Sequence, residues 1–253
     1  MHPWWGSITS NSWCGRLPRD VGAVVVAAGR GERLGGSVPK QFQLIGGVPM
    51  VLRALRPFSS HPDVAHVVLV LPSEDVAHPP AFLSDLSTPS QATGRALSIV
   101  PGGRHRGDSV RAGLSALPPE CTVVLIHDAA RPFVERKVID AVIGFARAGE
   151  GAVPAVPLSD TLKEATAADP SLIRRTRPRA RLWRAQTPQG FPRSVLERAH
   201  ARAARAGHRA TDDAALVEAM GVRVRLVPDS CRNLKVTTRE DLALAELLAG
   251  ATP

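Results

Sequence analysis

The sequence predicts an α/β protein with a mostly parallel, doubly wound sheet and a protruding β-arm. Short apolar runs alternate with helical patterns, which is typical of strands joined by right-handed helical crossovers. Runs such as Val24–Ala27 are apolar at every position, as in strands that are buried on both faces of a parallel sheet. This rhythm breaks between Asp160 and Arg184, where charged residues replace any helical period.

Each element is placed by its apolar period and by the residues at its ends. Predicted strands cover Val21–Ala27, His66–Leu71, Ser98–Val100, Thr122–Ile126, Gly151–Val156 and Val222–Val227. Predicted helices cover Ser109–Leu117, Glu135–Ala148, Ser194–Ala206 and Asp212–Ala219, and two more begin at Pro49 and at Thr238. Proline suits the start of a helix, and Thr238 with Asp241 resembles a capping box. Segment 72–91, rich in Pro, Ser and Asp, is expected to be a loop with one short helix.

These elements predict one domain over residues 20–250, with the arm over residues 158–185 as a β-hairpin. Residues 1–19 hold three tryptophans but no apolar core of a signal peptide. They are expected to be a flexible tail or an over-long start of the reading frame.

Composition excludes several classes of protein. The 253 residues are 44% hydrophobic, yet the longest apolar runs are too short to cross a bilayer, so we expect no membrane insertion. Cys14, Cys121 and Cys231 stand far apart, which indicates a reducing, cytoplasmic location without disulfides or zinc. The net charge is +9, and six arginines lie between Arg174 and Arg184. Because no nucleic-acid-binding signature accompanies them, an anion-binding or solvated surface is favoured over a nucleic-acid site.

A glycine-rich loop after the first strand carries the strongest functional signal. Gly29, Gly31, Gly35 and Gly36 allow the backbone N–H groups to face an anion, and Arg33 and Lys40 add fixed positive charge. This combination suits a triphosphate. The dinucleotide fingerprint fails because position 34 is leucine, and the Walker pattern fails because no Gly-Lys-Ser/Thr follows. The alternative is an ordinary strand-to-helix turn.

Two further strands end in polar turns, and ligands of open parallel sheets bind at such ends. Gly102 and Gly103 allow a base to lie against the main chain, and Ser109 offers a hydroxyl, although a generic turn is equally compatible. Asp128 places a carboxylate at the same edge, suited to ribose hydroxyls, a metal ion or a polar substrate, or else to a helix cap. His127 is more typical of a packed histidine than of a base.

The remaining signals are weaker. Lys235 follows an irregular segment and precedes a predicted short strand, so it either returns to the phosphate site or lies on the surface. By default, the run that begins at Thr211 caps a helix, and Thr187–Phe191 is a turn.

Taken in series, seven motifs resemble the 2-C-methyl-D-erythritol 4-phosphate cytidylyltransferases, from about Val21 to Leu248. They are AAGRGERLGGSVPKQF, GGRHRGDSV, HDAARPFV, DTLK, LWRAQTPQGF, TDDAALVE and NLKVTTREDLALAE. The resemblance implies a Rossmann-like nucleotidyltransferase core and a homodimer in which the β-arm exchanges between subunits. It also implies CTP and a sugar-alcohol phosphate as substrates.

The resemblance assigns roles by motif. Arg33 and Lys40 would stabilise the transition state, and Lys235 would position the incoming phosphate. Cytidine contacts would come from Ala27, Ala28, Gly29, Gly103 and Ser109. Ribose and substrate contacts would come from Asp128, Ala129 and Arg131, with Thr187 and Thr211 as further pocket residues. Thr161 and Arg179 would reach the substrate phosphate across the dimer, with Arg177 and Arg181 as alternatives to Arg179.

The implied reaction is attack by a phosphate oxygen on the α-phosphorus of CTP, which expels pyrophosphate with help from Mg²⁺ or another divalent cation. The metal ligands stay unassigned, and relatives can carry an acid where this chain has Arg104. One alternative is the same chemistry on a pentitol phosphate such as ribitol 5-phosphate. A remote alternative is a non-catalytic, basic nucleic-acid-binding protein.

Overall fold

A computed structural model describes residues 19–29, 38–84, 96–208 and 210–251. The tail before residue 19 and most of the glycine-rich loop, including Arg33, lie outside the described residues. Within the described part of the chain, no helix combines the length and apolar character that a bilayer span requires.

The strands of the described part of the chain are β1 (Val21–Val26), β2 (Leu44–Ile45), β3 (Val48–Pro49), β4 (Val64–Leu71), β5 (Ala96–Pro101), β6 (Val123–Asp128), β7 (Gly151–Pro157), β8 (Leu162–Ala165), β9 (Ile173–Arg177), β10 (Trp183–Ala185), β11 (Gln189–Pro192) and β12 (Val224–Pro228). Six of the strands, β1, β4, β5, β6, β7 and β12, lie close to the predicted positions.

The helices also follow the predicted order. They are α1 (Met50–Ser59), α2 (Ser73–Ala77), α3 (Ala81–Ser84), α4 (Arg106–Ser115), α5 (Arg136–Arg147), α6 (Arg193–Arg205), α7 (Asp213–Glu218) and α8 (Arg239–Gly250). A single 3₁₀ turn, Lys40–Phe42, precedes β2.

The central sheet confirms the predicted fold class. Its strand order is β10-β7-β11-β6-β1-β4-β5, with β12 paired to β7. The pairs β1–β4, β4–β5, β1–β6 and β7–β12 are parallel, whereas β10 and β11 run antiparallel to β7. The chain passes from β1 outward to β4 and β5 and then returns to β6 on the other side of β1. The sheet therefore changes winding direction between β1 and β6.

Helices cover both faces of the sheet, and strand β1 explains why. Val21, Ala23 and Val25 pack into one apolar layer with α1 and α5, whereas Val24 packs into the other with α4, α6 and α7. Successive side chains of a strand point to opposite faces, so an uninterrupted apolar strand needs cover on both sides. This explains the continuous apolar run in the sequence.

Four local predictions were wrong, among them the short strand after Lys235, because residues 234–237 form no strand. Thr187–Phe191 is not a turn, because β11 is buried and pairs antiparallel with β6. Helix α4 begins at Arg106 rather than Ser109, since the His105 N–H donates to Asp108 Oδ2 and starts the helix earlier. The segment after β4 contains two short helices, α2 and α3, rather than one.

The segment without helical period contains an antiparallel hairpin, β8–β9, that forms its own two-stranded sheet. Every residue from Ser171 to Ala185 is exposed. Strand β10 then rejoins the central sheet beside β7. The hairpin therefore protrudes from the domain.

Candidate active site

The carboxyl ends of β1, β5 and β6 meet at one edge of the sheet, at the point where the winding reverses. Such switch points are where open α/β sheets bind ligands. The described residues enclose a cavity of about 240 Å³ there. The lining consists of residues 26–29, 103–106 and 128–130 with Lys40, Gln41, Met50, Ser109 and Lys235. It therefore includes Ala27, Ala28, Gly29, Gly103 and Ala129 of the predicted binding residues.

The turn after β5 is built without side chains because its neighbours come too close. A Cβ atom on Gly102 would lie 2.4 Å from the Cβ of Ala28, and one on Gly103 would lie 2.2 Å from the Cβ of Asp108. The Gly103 N–H donates to Ser109 Oγ over 3.2 Å, which fixes the turn against helix α4. Gly103 lines the cavity, so the lining has no side chain at this position. Its contact with a base stays a prediction.

Asp128 lies at the last position of β6 between two cations. Its Oδ2 accepts from Lys235 Nζ over 2.6 Å, and its Oδ1 accepts from Arg106 Nε over 3.4 Å. Burial alone would raise the pKa of Asp128, but the charges of Arg106 and Lys235 outweigh it and hold the pKa well below its usual range. Asp128 does not cap a helix, because α5 begins at Arg136. Its carboxylate therefore contributes a negative charge to the cavity lining.

The buried side chains of Thr187 and His127 support the main chain of Asp128. Its backbone N–H donates to Thr187 Oγ1 over 3.1 Å, and Thr187 Oγ1 lies 3.0 Å from His127 Nδ1. His127 Nε2 lies 3.0 Å from the carbonyl oxygen of Arg131, which can only accept, so this nitrogen carries the proton. Burial lowers the pKa of His127 to about 4. His127 is therefore a neutral, packed histidine, and Thr187 lies behind the cavity wall.

The segment that carries Lys235 is fixed by buried amides and by Arg131. The carbonyl oxygen of Asn233 accepts from Arg131 NH1 over 2.7 Å and from Gln186 Nε2 over 3.0 Å. The Asn233 side chain donates to the carbonyl of Thr187. Arg131 also donates to the carbonyl of Ala185, so its guanidinium holds main chain in this structure. These contacts bring Lys235 to the cavity from 107 residues beyond Asp128.

Positive charge dominates the described lining. Lys40 begins the 3₁₀ turn, and Arg104, Arg106 and Lys235 accompany it, against the single carboxylate of Asp128. A cavity of this sign attracts polyanions. Gln41, which follows Lys40, is buried and donates to Asp75 Oδ2, so the turn is anchored to helix α2.

Five predicted residues lie outside the described cavity lining: Arg131 and Thr187 hydrogen-bond to main chain beside it, and the other three are exposed. Thr161 and Arg179 are exposed on the protruding arm, where the Arg179 guanidinium donates to the carbonyl of Ser159. Thr211 is exposed just before α7, whose N-cap is Asp212. The roles predicted for these three residues stay predictions.

Arg106, Gln186 and Asn233 were not predicted from the sequence. Arg106 belongs to the motif GGRHRGDSV. Its position just after a ligand-facing loop could have marked it as a cation of the site. Gln186 and Asn233 gave no comparable signal, because their partners are backbone carbonyls distant in the sequence.

The described residues do not fit a protein-held metal ion. No group of three or more potential metal-ligating side chains occurs among them. Asp128 is the one carboxylate in the described cavity lining, and both of its oxygens already contact cations. Divalent cations such as Mg²⁺ need several oxygen ligands. The sequence-based prediction of Mg²⁺ thus gains no support from these side chains.

A positive cavity at the switch point of a doubly wound sheet is the site expected of a Rossmann-like nucleotidyltransferase. The particular family follows from comparison with known proteins. The sequence profile of the IspD family, 2-C-methyl-D-erythritol 4-phosphate cytidylyltransferase, matches residues 21–250. The chain belongs to this family.

Comparisons with individual relatives give the same family. The chain is 44% identical over 237 residues to the 2-C-methyl-D-erythritol 4-phosphate cytidylyltransferase of Streptomyces coelicolor, covering 92% of this chain and 86% of that protein. It is 41% identical to the enzyme of the same name from Syntrophus aciditrophicus, covering 88% and 93%. The crystal structure of the Thermus thermophilus enzyme superimposes with a TM-score of 0.72 at 36% identity, covering 90% of this chain and 98% of that one.

Proposed function

We propose that this chain transfers the cytidylyl group of CTP to the phosphate of 2-C-methyl-D-erythritol 4-phosphate and releases pyrophosphate. The observation that carries this proposal is the meeting of Lys40, Lys235 and Gly103 around one cavity. The reaction places an isoprenoid precursor on a nucleotide carrier. Family membership supports both the donor and the acceptor.

The chemistry requires charge stabilisation more than proton transfer. A phosphate oxygen of the acceptor forms a bond to the α-phosphorus of CTP, and the bond from that phosphorus to the bridging oxygen breaks. The nucleophile is already an anion at neutral pH, so a general base is unnecessary. Repulsion between the acceptor phosphate and the triphosphate is the obstacle. Lys40, Lys235 and Arg33 offset that repulsion and stabilise the charge that develops at phosphorus.

The nucleotide is oriented by the strand ends. Cytosine lies against the main chain of Gly103, with Ser109 and residues 27–29 around it. Asp128 accepts from the ribose hydroxyls, and Ala129 and Arg131 complete that side. The positions of Gly103, Ser109 and Asp128 on the same cavity support this arrangement.

Mg²⁺ or another divalent cation remains part of the proposal as a companion of the nucleotide. The described side chains lack a ligand set, so the phosphate oxygens would supply most of its ligands. Removal of divalent cations with EDTA tests the requirement, and activity that persists in EDTA would contradict it.

The arm acts on a second copy of the chain in this proposal. Thr161 and Arg179 would reach the acceptor phosphate in the partner's cavity, and the two copies would form a homodimer. Their exposure on a protruding hairpin supports this. A cytoplasmic location and the absence of nucleic-acid partners stay predictions, as do the roles of Thr187 and Thr211.

Pyrophosphate release tests the function directly. The chain is incubated with CTP and either methylerythritol 4-phosphate or ribitol 5-phosphate, and the assay is repeated with ATP, GTP and UTP. We expect release with CTP and methylerythritol phosphate. Preference for ribitol 5-phosphate would replace the acceptor, and no release from any pair would overturn the proposal.

A further inference from the structure

We propose that Arg106 is a positioning residue that serves as the standing counter-ion of Asp128, so that Lys235 can leave Asp128 for the incoming phosphate. This inference rests on the proposed function, in which Lys235 binds a substrate phosphate. It concerns a residue outside the set that the sequence motifs assigned.

In the proposed reaction, the ammonium group of Lys235 pairs with Asp128 and must also bind a substrate phosphate. Its Nζ lies 2.6 Å from Asp128 Oδ2, and 44% of its side chain is exposed at the cavity. The side chain of Asp128 is only 13% exposed, so its carboxylate needs a compensating cation. If Lys235 were the only such cation, its departure toward a phosphate would leave a buried charge unpaired. That cost would oppose substrate binding.

Arg106 removes this conflict because it holds the other carboxylate oxygen. Its Nε donates to Asp128 Oδ1 over 3.4 Å, and its NH1 donates to Asp213 Oδ2 over 2.7 Å. A guanidinium can serve two carboxylates at once through separate N–H groups. Asp128 therefore keeps a cation when Lys235 moves.

Arg106 is itself held in place from the protein interior. Asp213 is 1% exposed and lies 2.9 Å from His200 Nε2 through its Oδ1. The Asp213 N–H donates to Gln189 Oε1, which ties this end of α7 to strand β11. Because Asp213 is held by His200 of α6 and by Gln189 of β11, we expect Arg106 to stay in place when Lys235 moves toward the ligand. One cation stays and the other moves.

A simpler role for Arg106 is a structural bridge between α4 and α7. The two roles differ in one respect: a positioning residue acts through Lys235, whereas a bridge does not. A double-mutant cycle separates them, because effects of residues that act through each other are not additive.

The experiment measures kcat and KM for both substrates in Arg106→Gln, Lys235→Ala and the double variant. We expect Arg106→Gln to lower kcat/KM for the acceptor about 10- to 100-fold, the range for losing a hydrogen bond to a charged group. KM for CTP should change by less than about threefold. In the Lys235→Ala background, Arg106→Gln should cost less than about twofold, since the moving cation is already gone.

Arg106→Lys and Arg111→Gln complete the design. Arg106→Lys keeps the charge and should lose less than Arg106→Gln, and it carries the same cycle if the glutamine variant fails to fold. Arg111 lies on the same helix and pairs with Asp108 at the surface, so Arg111→Gln should leave the kinetics within about twofold of wild type.

The outcomes are distinct. Additive losses in the cycle, or an Arg106→Gln variant as active as wild type, would overturn this inference while the proposed function stands. Absence of pyrophosphate release from the wild-type chain would overturn the proposed function and this inference with it.

Discussion

The cavity and the arm place similar side chains in opposite settings. In the cavity, Asp128 is mostly buried, and its main chain, its carboxylate and its neighbours are fixed by Thr187, Arg106 and Lys235. On the arm, Thr161 and Arg179 are exposed, and all residues from Ser171 to Ala185 are exposed with them.

The ion pairs show the same contrast. In the cavity, Asp128 pairs with Arg106 across 22 positions and with Lys235 across 107 positions, because the sheet brings separate strand ends together. Those of the arm join Glu164 to Arg174, Arg175 and Arg177 within one hairpin. Exposed pairs of this kind contribute little stability. The cavity is therefore preorganised by residues of its own chain, whereas we expect the arm to act on a second copy.

The largest expected effect lies in the cavity. Lys40→Ala and Arg33→Ala should each lower kcat about 10²–10³-fold, equivalent to about 2.7–4 kcal/mol, because each removes a fixed charged donor from the transition state. Steady-state pyrophosphate release measures this. Lys137→Ala removes an exposed lysine that pairs with Glu135, and it should leave kcat unchanged. Folded variants that turn over at nearly the wild-type rate would refute these roles.

The second effect concerns the buried support of the cavity. The pKa of His127 is lowered to about 4 from 6.5, so between these values the unfolded chain binds a proton that the folded chain does not. The free energy of unfolding should therefore fall as the pH falls through this window, by about 3 kcal/mol at its lower end.

Urea unfolding between about pH 7 and about pH 5 measures this effect. His127→Gln should show a flatter dependence than wild type, whereas His208→Gln, which changes an exposed histidine, should not. Equal slopes for wild type and His127→Gln would show that this histidine does not govern the acid sensitivity.

The third effect tests the arm. Arg179→Ala should lower kcat/KM for the acceptor about 10- to 100-fold and leave KM for CTP nearly unchanged, because the lost contact is to the acceptor phosphate. Arg177→Ala and Arg181→Ala are the matched controls and should have smaller effects. A larger loss in either control would move the role to that arginine.

Mixing two variants tests whether the arm acts on the cavity of the partner. If the arm serves the partner's cavity, the impaired Lys40→Ala and Arg179→Ala chains mixed in equal amounts should rise to about a quarter of wild-type activity, since half of the dimers hold one intact site. If subunit exchange is verified and no activity is recovered, the arm either acts within its own chain or has no role in the reaction.

The smallest effect compares a threonine-to-alanine substitution in the packed domain with one on the arm. Thr238 caps helix α8 by accepting from the Asp241 N–H, so Thr238→Ala should lower the free energy of unfolding by about 1 kcal/mol. Thr176→Ala changes an exposed threonine of the arm and should cost less than about 0.5 kcal/mol. Urea titration of both variants measures the difference. Equal costs would contradict the contrast in packing.

Much of the fold was predictable because its signals are local. Strand β1 shows its burial in an unbroken apolar run, and the capping box that the sequence predicted at Thr238 is confirmed. The error at Thr187–Phe191 has a tertiary cause. A proline-containing segment resembles a turn, yet pairing with β6 makes its second half a buried strand. Arg106 was missed for a related reason, since its importance depends on Asp213 from a distant helix.

By itself, the sequence determined the order of strands and helices, the cationic character of the loops and the placement of Asp128 at a strand end. Only the tertiary structure decided that Arg106, Asp128 and Lys235 form one cluster and that Thr187 lies behind it rather than in the cavity. Periodicity and end residues are properties of a few neighbouring positions, so they can be read along the chain. The cluster instead depends on which strands become neighbours, and that is set by the packing of the whole sheet.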